Sequence, residues 1–588
     1  MSKILSKTIV EIPKNVSVGK GGHVYLNAST KWVNSKDKSH KYADHDRVYI
    51  GRAVTFDTPG ANWRDDPRMY PNDNYYIHVL KQEPPQTSKS SGHESTVSLG
   101  PFVVLRKIAE ESGLLDILSQ VFDDKKIVDL ILDLAMCFSV RESGVFQRAP
   151  AWLKQHATFS ETIRNDTSIS KINNSKITTS HFDRFRYLWA KHSIGAGKIN
   201  VSYDSTNVNS QAEGVTLVSR GHAKDKKNLP QVNVEYVVRQ DDGLPIAFSL
   251  YPGFINDISE SPQMIEFFKD IKEDLKEEDK ESKLEILITA DRAYLSEENM
   301  SRMEAANIDF LLMLKTSMDM TYTLIDEHAD EVRDMDNYIE THDRFAKTYE
   351  IPLEDNKIRY FHIVWDETYA RKNRQKLHKD ITNAEKKLNE LIEKKTRVTE
   401  RELDKYSKFF KVETKPAGEV TKLKRTIPVF TVESIVEKKS DIIKLLLKRC
   451  GYFILVTSKD IPKEEALEAY SKRGCIEKLF STLKSHLGMD KFGSCTDESM
   501  HAKLLMWFIA SIMRNILLNK TKHLRDKDRK SFTVPGIFDL LEPIKAHRNR
   551  NDRKYRKDFT LLDKQKQILR AFKISEKDIE ETIENLWP

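Results

Sequence analysis

Cysteine is scarce: the chain has four in 588 residues. Cys137, Cys450, Cys475 and Cys495 are far apart and form no CxxC pair. Neither a disulfide framework nor a zinc site is suggested, and reduced thiols in a cytosol are the expected state. Long apolar runs are missing too. The longest, Leu504 to Ile512, is followed by Arg514 and is too short to span a bilayer, so no membrane is expected as a partner. The start, MSKILSKTIVEIPK, has no apolar core followed by a small-residue cleavage site, so export is not expected. There is no HExxH and no GxSxG, and GKGG at 19–22 lacks the GKS or GKT ending of a phosphate loop and reads as a turn. Charge of one sign is not in excess overall, since 96 Lys and Arg face 89 Asp and Glu. It is unevenly spread, however. Residues 520–557 hold thirteen Lys and Arg against five acids, a footprint for a polyanion.

What is present describes a globular chain of several domains. Hydrophobic residues make up 39% and charged ones 31%, which sets aside disorder, and the length predicts three to five domains. Residues 1–83 read as a β-rich segment, with HVYLN at 23–27 and RVYIGRAVTF at 47–56. A Pro/Ser/Thr-rich linker spans 84–100. Helical periodicity dominates 101–195, where Ile127 to Phe138 is apolar enough for a buried helix.

From Ile199 the period changes. INVSYDST is a strand with Ile199, Val201 and Tyr203 on one face and Asp204 on the other. VNVEYVVRQ and LPIAFSLYPG flank Asp241-Asp242-Gly243, a strong hairpin signal. A helix follows from Ser259 to Leu275 with a Ser cap, then LEILITA (284–290), a strand buried on both faces and ended by Asp291. A helix at 295–306 and the strand IDFLLML (308–314) complete the run. Strand, hairpin strands, helix, strand, helix, strand is the order of an RNase H-like core, so the expected fold class is α/β. That core still requires a closing helix carrying an acid. The chain reaches one only after residues 316–450, read as an α+β insertion with strands at 359–365 and 428–435 and a charged helical stretch over 367–412. There Leu377, Ile381, Ala384, Leu388, Leu391 and Val398 fit heptad positions, better suited to a helical hairpin packed on its own domain than to a free coiled coil. The expected organisation is therefore a core that opens at 196–315, is interrupted by the insertion at 316–450 and resumes at 451–519, followed by a basic helical region at 520–588.

The closing helix is sought in Tyr470 to Lys484, YSKRGCIEKLFSTLK. At about 100° per residue, Tyr470, Arg473, Glu477 and Lys484 share an arc of about 60° beside the apolar stripe of Ile476, Leu479, Phe480, Leu483 and Leu487. An i,i+4 ion pair on a solvated face is the plain alternative for Arg473 and Glu477. Asp204 could simply turn the chain with Ser205 and Thr206, and Asp291 could cap the helix after it. Taken together, two aspartates on neighbouring strands and a glutamate from a helix supply the few oxygen ligands that a pair of divalent ions requires for phosphodiester chemistry.

These residues carry a resemblance. Tyr470, Arg473, Glu477 and Lys484 match Y-(2)-R-(3)-E-(6)-K, the motif of bacterial insertion-sequence transposases of the IS-four-like group, preceded by YDST at Asp204 and ADR at Asp291. GHAKDKKNLPQ (221–231), PGFINDIS (252–259) and the strand-rich start are also similar to that family. Gly474-Cys475 departs from it, standing where many relatives have an aromatic residue, and the charged helices within 316–450 depart from a largely β insertion. The resemblance implies a cut-and-paste DDE transposase of the bacterial cytoplasm and nucleoid. Asp204, Asp291 and Glu477 would be catalytic and would hold two Mg²⁺ or Mn²⁺ ions. Tyr470, Arg473 and Lys484 would contact double-stranded DNA, namely transposon-end inverted repeats and target, in a homodimeric synaptic complex. Residues 1–83, 101–195 and 520–557 are further candidates for DNA contact. A nuclease of the same fold that cuts without joining, and an inactive DNA-binding relative, are the other readings.

Overall fold

The computed structural model describes residues 9–586 except 20, 35–40, 58–61, 83–94, 196, 222–228, 280–282, 316–317, 353–356, 423–424, 550–551 and 553. Most of the expected linker and residues 222–228 of the GHAKDKKNLPQ segment thus lie outside the described residues. The chain divides into two units. One comprises Met1–Thr96, Ala546–Lys557 and Pro588; the other comprises Val97–Lys545 and Asp558–Trp587.

The first unit holds an antiparallel sheet of five strands, in the order Val10–Glu11, Arg68–Pro71, Lys41–Ala53, His23–Asn34, Val16–Val18. Its core is small: Val24, Ile50, Ala53, Met69, Tyr75 and Tyr76 are buried together.

The larger unit mixes helix and sheet around one long sheet. Its strands are β1 (Lys198–Ser210), β2 (Gln231–Arg239), β3 (Pro245–Pro252), β4 (Glu285–Ala290), β5 (Asp309–Met313), β6 (Tyr338–Ile339), β7 (Arg344–Pro352), β8 (Ile358–Trp365) and β9 (Tyr452–Thr457). In space they run β6-β7-β8-β9-β5-β4-β1-β2-β3, and the short strand Lys491–Phe492 pairs in parallel with the end of β1. β1, β2 and β3 are antiparallel neighbours, while β4 lies parallel to β1 and β5 parallel to β4. The β2–β3 hairpin turns at Asp241-Asp242-Gly243, where Gly243 has φ 72°, a conformation that glycine adopts without steric cost. The parallel steps are made by helices α1 (Asp257–Glu278) and α2 (Glu297–Ala305). α1 begins after Asn256, two residues before the Ser259 expected as its cap.

Some of the expected insertion belongs to the long sheet: β8 pairs antiparallel with β9 and β7 with β8. The remainder has a core of its own. The helix Glu367–Glu393 lays Ile381, Ala384, Leu388 and Leu391 against Phe410, Val432 and Ile443. The ribbon Phe410–Lys422 and Arg425–Lys438 supplies several residues of that core, so the heptad-like stripe is spent within the chain.

Three helices close the sheet: α3 (Lys463–Lys472), α4 (Gly474–His486) and α5 (Asp497–Lys520). α5 is long and apolar enough to cross a membrane by length and composition, and 78% of its most apolar 18-residue stretch is buried within the protein. It covers β2 and β3, with Phe508 stacked 3.9 Å from Phe248 and 5.7 Å from Tyr236. The helix Lys125–Arg141 packs along its far side, where Leu134 and Phe138 are fully buried. The helical block 101–195 therefore shares this unit's core.

Candidate functional site

The site is set by strand register. Ala290 of β4 pairs with Tyr203 of β1, and the strands are parallel. One further step along each places Asp291 level with Asp204, on strands about 4.8 Å apart. Successive residues of a strand alternate faces. Tyr203 points to the α1 side, where its ring meets Tyr294 at 4.5 Å. Asp204 points to the opposite side, facing α4.

Asp204 does not turn the chain, whereas Asp291 does act as the cap that its position allowed. β1 continues six residues past Asp204, whose carboxylate accepts the Ser205 amide at 2.8 Å. Asp291 does cap a following turn, accepting the Arg292 amide at 2.7 Å. A cap uses one oxygen and leaves the other for a further partner.

The stretch Tyr470 to Lys484 is two helices rather than one continuous helix, divided where Gly474 departs from the family pattern. α3 ends at Lys472 and α4 starts at Gly474, with Arg473 at the joint. The backbone tightens there: the Arg473 amide bonds Tyr470 O at 3.3 Å and the Ile476 amide bonds Arg473 O at 3.2 Å, both i to i−3. A glycine is the residue least committed to continuing a helix, at a cost of about 1 kcal/mol relative to alanine.

That joint aims Arg473 inward. Its side chain is only 16% exposed; Nη2 lies 2.8 Å from Glu477 Oε1 and Nη1 lies 3.7 Å from Asp204 Oδ2. The i,i+4 pair foreseen as the plain reading is thus present, but it is one half of a bridge between two carboxylates of the proposed set. Burial opposes the charge on Arg473, and Tyr470, Asp291, Asp204 and Glu477 outweigh it, so its pKa lies above the ordinary arginine value. Tyr470 is half-buried beside it, with the guanidinium 5.7 Å from the ring. Burial foremost, with a contribution from Asp291, pushes its hydroxyl up to about 12. Lys484 lies seven residues beyond Glu477 on the same flank of α4 and is half-buried. Arg473 thus lies among Tyr470, Asp204, Asp291 and Glu477, and Lys484 stands about two turns farther along α4.

Among the described residues no three carboxylate, imidazole or thiol side chains converge closely enough to hold a metal ion as they stand. The donor set nonetheless fits one: Asp204, Asp291 and Glu477 offer only oxygens, the choice of Mg²⁺ and Mn²⁺. The Arg473 guanidinium occupies the cationic position between two of them.

Behind the sheet lies a buried polar layer that sequence reasoning did not single out. Tyr203 Oη donates to Glu235 Oε1 at 2.5 Å, and Tyr251 Oη donates to Asp257 Oδ1 at 2.7 Å. Burial, reinforced by Glu260 and Asp257, lifts Glu235 to about 8 against the Tyr203 bond. The signal was a lone acid inside the apolar run VNVEYVVRQ.

Residues 196–513 match the family described as transposase DDE domain. No curated protein matches the chain. Among solved structures it is similar to a piggyBac transposase seen by cryo-EM in a synaptic complex with hairpin DNA. That likeness has 10% identity and a TM-score of 0.31, and covers 82% of this chain and 76% of the other. A likeness that weak carries no weight for fold or chemistry.

Proposed function

The chain belongs to the transposase DDE-domain family, whose match spans more than half of it, and from that premise we propose a metal-dependent, cut-and-paste DNA transposase. The observation that carries the proposal is the pairing of Ala290 with Tyr203 on adjacent parallel strands, after which Asp291 and Asp204 are the next residues of each chain segment, with Glu477 tied to Asp204 through Arg473. The strand order β3-β2-β1-β4-β5 supports reading this portion of the sheet as an RNase H-like core interrupted by an insertion.

Asp204, Asp291 and Glu477 would hold two Mg²⁺ or Mn²⁺ ions, which supply activation of the attacking oxygen and stabilisation of the leaving one. The protein's own contribution is placement. β1 carries Asp204 and the turn capped at the end of β4 holds Asp291, while Glu477, 62% exposed at the start of α4, can swing. Arg473 neutralises the cluster in the resting chain, and its forked donors suit a phosphate once the carboxylates have other partners. Tyr470 and Lys484 flank the same edge and would orient the strand being cut. Water would attack the phosphodiester at the element's end and free a 3′-OH. That hydroxyl would attack the opposite strand, displacing its oxygen to form a hairpin, and after hairpin opening would join target DNA. The active form would be a homodimer holding two transposon ends in the bacterial cytoplasm.

The test is incubation with Mg²⁺ and a labelled duplex taken from the DNA that borders the reading frame. Hairpin and joined products are expected. Cleavage without either would favour a nuclease of the same fold, and binding without cleavage an inactive relative.

A further inference from the structure

The carboxylates occupy one flank of α4, and the other flank borders something different. With Cys475 set at 0° and about 100° per residue, buried Ile476 and Leu483 lie near 90°. Glu477 and Lys484 lie near 190°. Leu479, Thr482 and His486 lie near 0°, on the opposite flank, and line a groove of about 620 Å³. Between the flanks, near 270°, runs a ridge of Lys478, Ser481 and Ser485, all exposed. Apart from the lysine the ridge is low, because two of its three side chains are hydroxymethyl groups.

The groove is basic, and its cations fall in two classes. Arg514 is engaged, 3.0 Å from Glu142. Lys478, Lys522, Arg525 and Arg529 have no acidic partner among the described residues. Lys522 and Arg525 belong to α6 (Lys522–Lys527), and Arg529 follows it. Of the acids on the rim, Asp242 is taken by Arg239 through bonds of 2.9 and 2.5 Å. Only Asp241 remains against the four cations. Like charges gathered in a concavity repel one another and strengthen the field inside it, which is favourable only toward an anion.

We propose that this groove is a track for the DNA phosphate backbone, which crosses the Lys478-Ser481-Ser485 ridge between the carboxylate edge and Lys522, Arg525 and Arg529. The proposal rests on the reading that the carboxylates act on DNA, and adds the path. The two flanks of α4 are separated by the width of one helix, about 10 Å, so a single duplex spans both.

The test is the salt dependence of binding to a mixed-sequence duplex of about 30 base pairs, followed by fluorescence anisotropy across about 50 to 300 mM salt. The triple variant Lys522→Gln, Arg525→Gln, Arg529→Gln should lose at least about tenfold in affinity, and the slope of log K against log salt should fall by about 2 to 3. A control triple on the exposed face of Glu367–Glu393 (Lys372→Gln, Lys379→Gln, Lys386→Gln) should keep the wild-type slope. Lys478→Gln alone should lower the slope by about 1, which keeps the question open to measurement if the triple variant folds poorly. A groove triple with wild-type slope and affinity overturns the track and leaves the catalytic reading standing. Failure of the intact chain to bind duplex overturns both.

Discussion

Arg473→Ala should destabilise the metal-free protein by about 2 kcal/mol, and divalent cations should close the gap. The Arg473 Nη1 to Asp204 Oδ2 distance is 3.7 Å, with side chains 16% and 19% exposed. At an effective dielectric of about 20, unit charges at that separation attract by about 4 kcal/mol. Some of this returns on deletion, because the guanidinium no longer has to be desolvated. The second contact adds little: Glu477 is 62% exposed, and such pairs contribute at most about 1 kcal/mol. Unfolding entropy of about 2 cal/mol/K per residue, over a unit of several hundred residues, converts about 2 kcal/mol to about 2 °C. Calorimetry in EDTA should show that drop for Arg473→Ala and a smaller one for Arg473→Lys, which keeps the charge. Added Mg²⁺ should narrow the difference or reverse it, since a cation bound to the native state stabilises it by mass action and the variant has no guanidinium competing for the carboxylates. An unchanged melting temperature in EDTA would show that the bridge contributes nothing. A drop indifferent to Mg²⁺ would mean that Arg473 and the ion do not share a site.

Asp291→Asn should cut strand cleavage below one-hundredth of wild type while leaving duplex affinity intact, because loss of a metal ligand exceeds the about 10–100-fold cost of losing its supporting neighbours; retained cleavage would refute the assignment. Glu235→Gln should change the pH dependence of stability. The folded carboxyl is raised from 4.5 to about 8, so the folded chain keeps a proton that the unfolded chain releases. Wild-type stability is then fully present below about pH 4.5 and falls as pH rises through about 8, whereas the Gln variant lacks that fall. Melting curves of the two that stay parallel between those values would sink the reading. Gly474→Ala should stabilise the chain by about 0.5–1 kcal/mol, since a Cβ there meets nothing within 4 Å. If the joint must bend during the reaction, the same substitution should lower turnover without affecting DNA affinity, and equal activity would show that no bending is required.

The strands of the site were legible because each reports its own surroundings. Ile199, Val201 and Tyr203 alternate with Asp204 because one face of β1 is covered by α1, and LEILITA is apolar throughout because β4 is covered on both sides. Pairing across long separations leaves no such mark. Nothing in RYFHIVW states that it will lie beside YFILVT, about ninety residues later, which is why β8 read as a strand of the insertion and not as a neighbour of β9. The ribbon strand Phe410–Lys422 escaped because KVETKPAGEVTK, with its Pro and Gly, mixes polar residues on both faces; only its partner Arg425–Lys438 carries an apolar signal. Arg473 shows a third limit. Helical geometry placed it beside Glu477 correctly, and the ion pair formed. The same geometry cannot say that the pair will be pressed against Asp204, because that depends on a kink at Gly474 and on a strand 269 residues upstream. Whether a cation faces solvent, as if waiting for phosphate, or is turned onto carboxylates is decided by tertiary packing. The neighbourhood of Arg473 and Glu477 could therefore be read from helical spacing, while the second carboxylate that Arg473 faces could not.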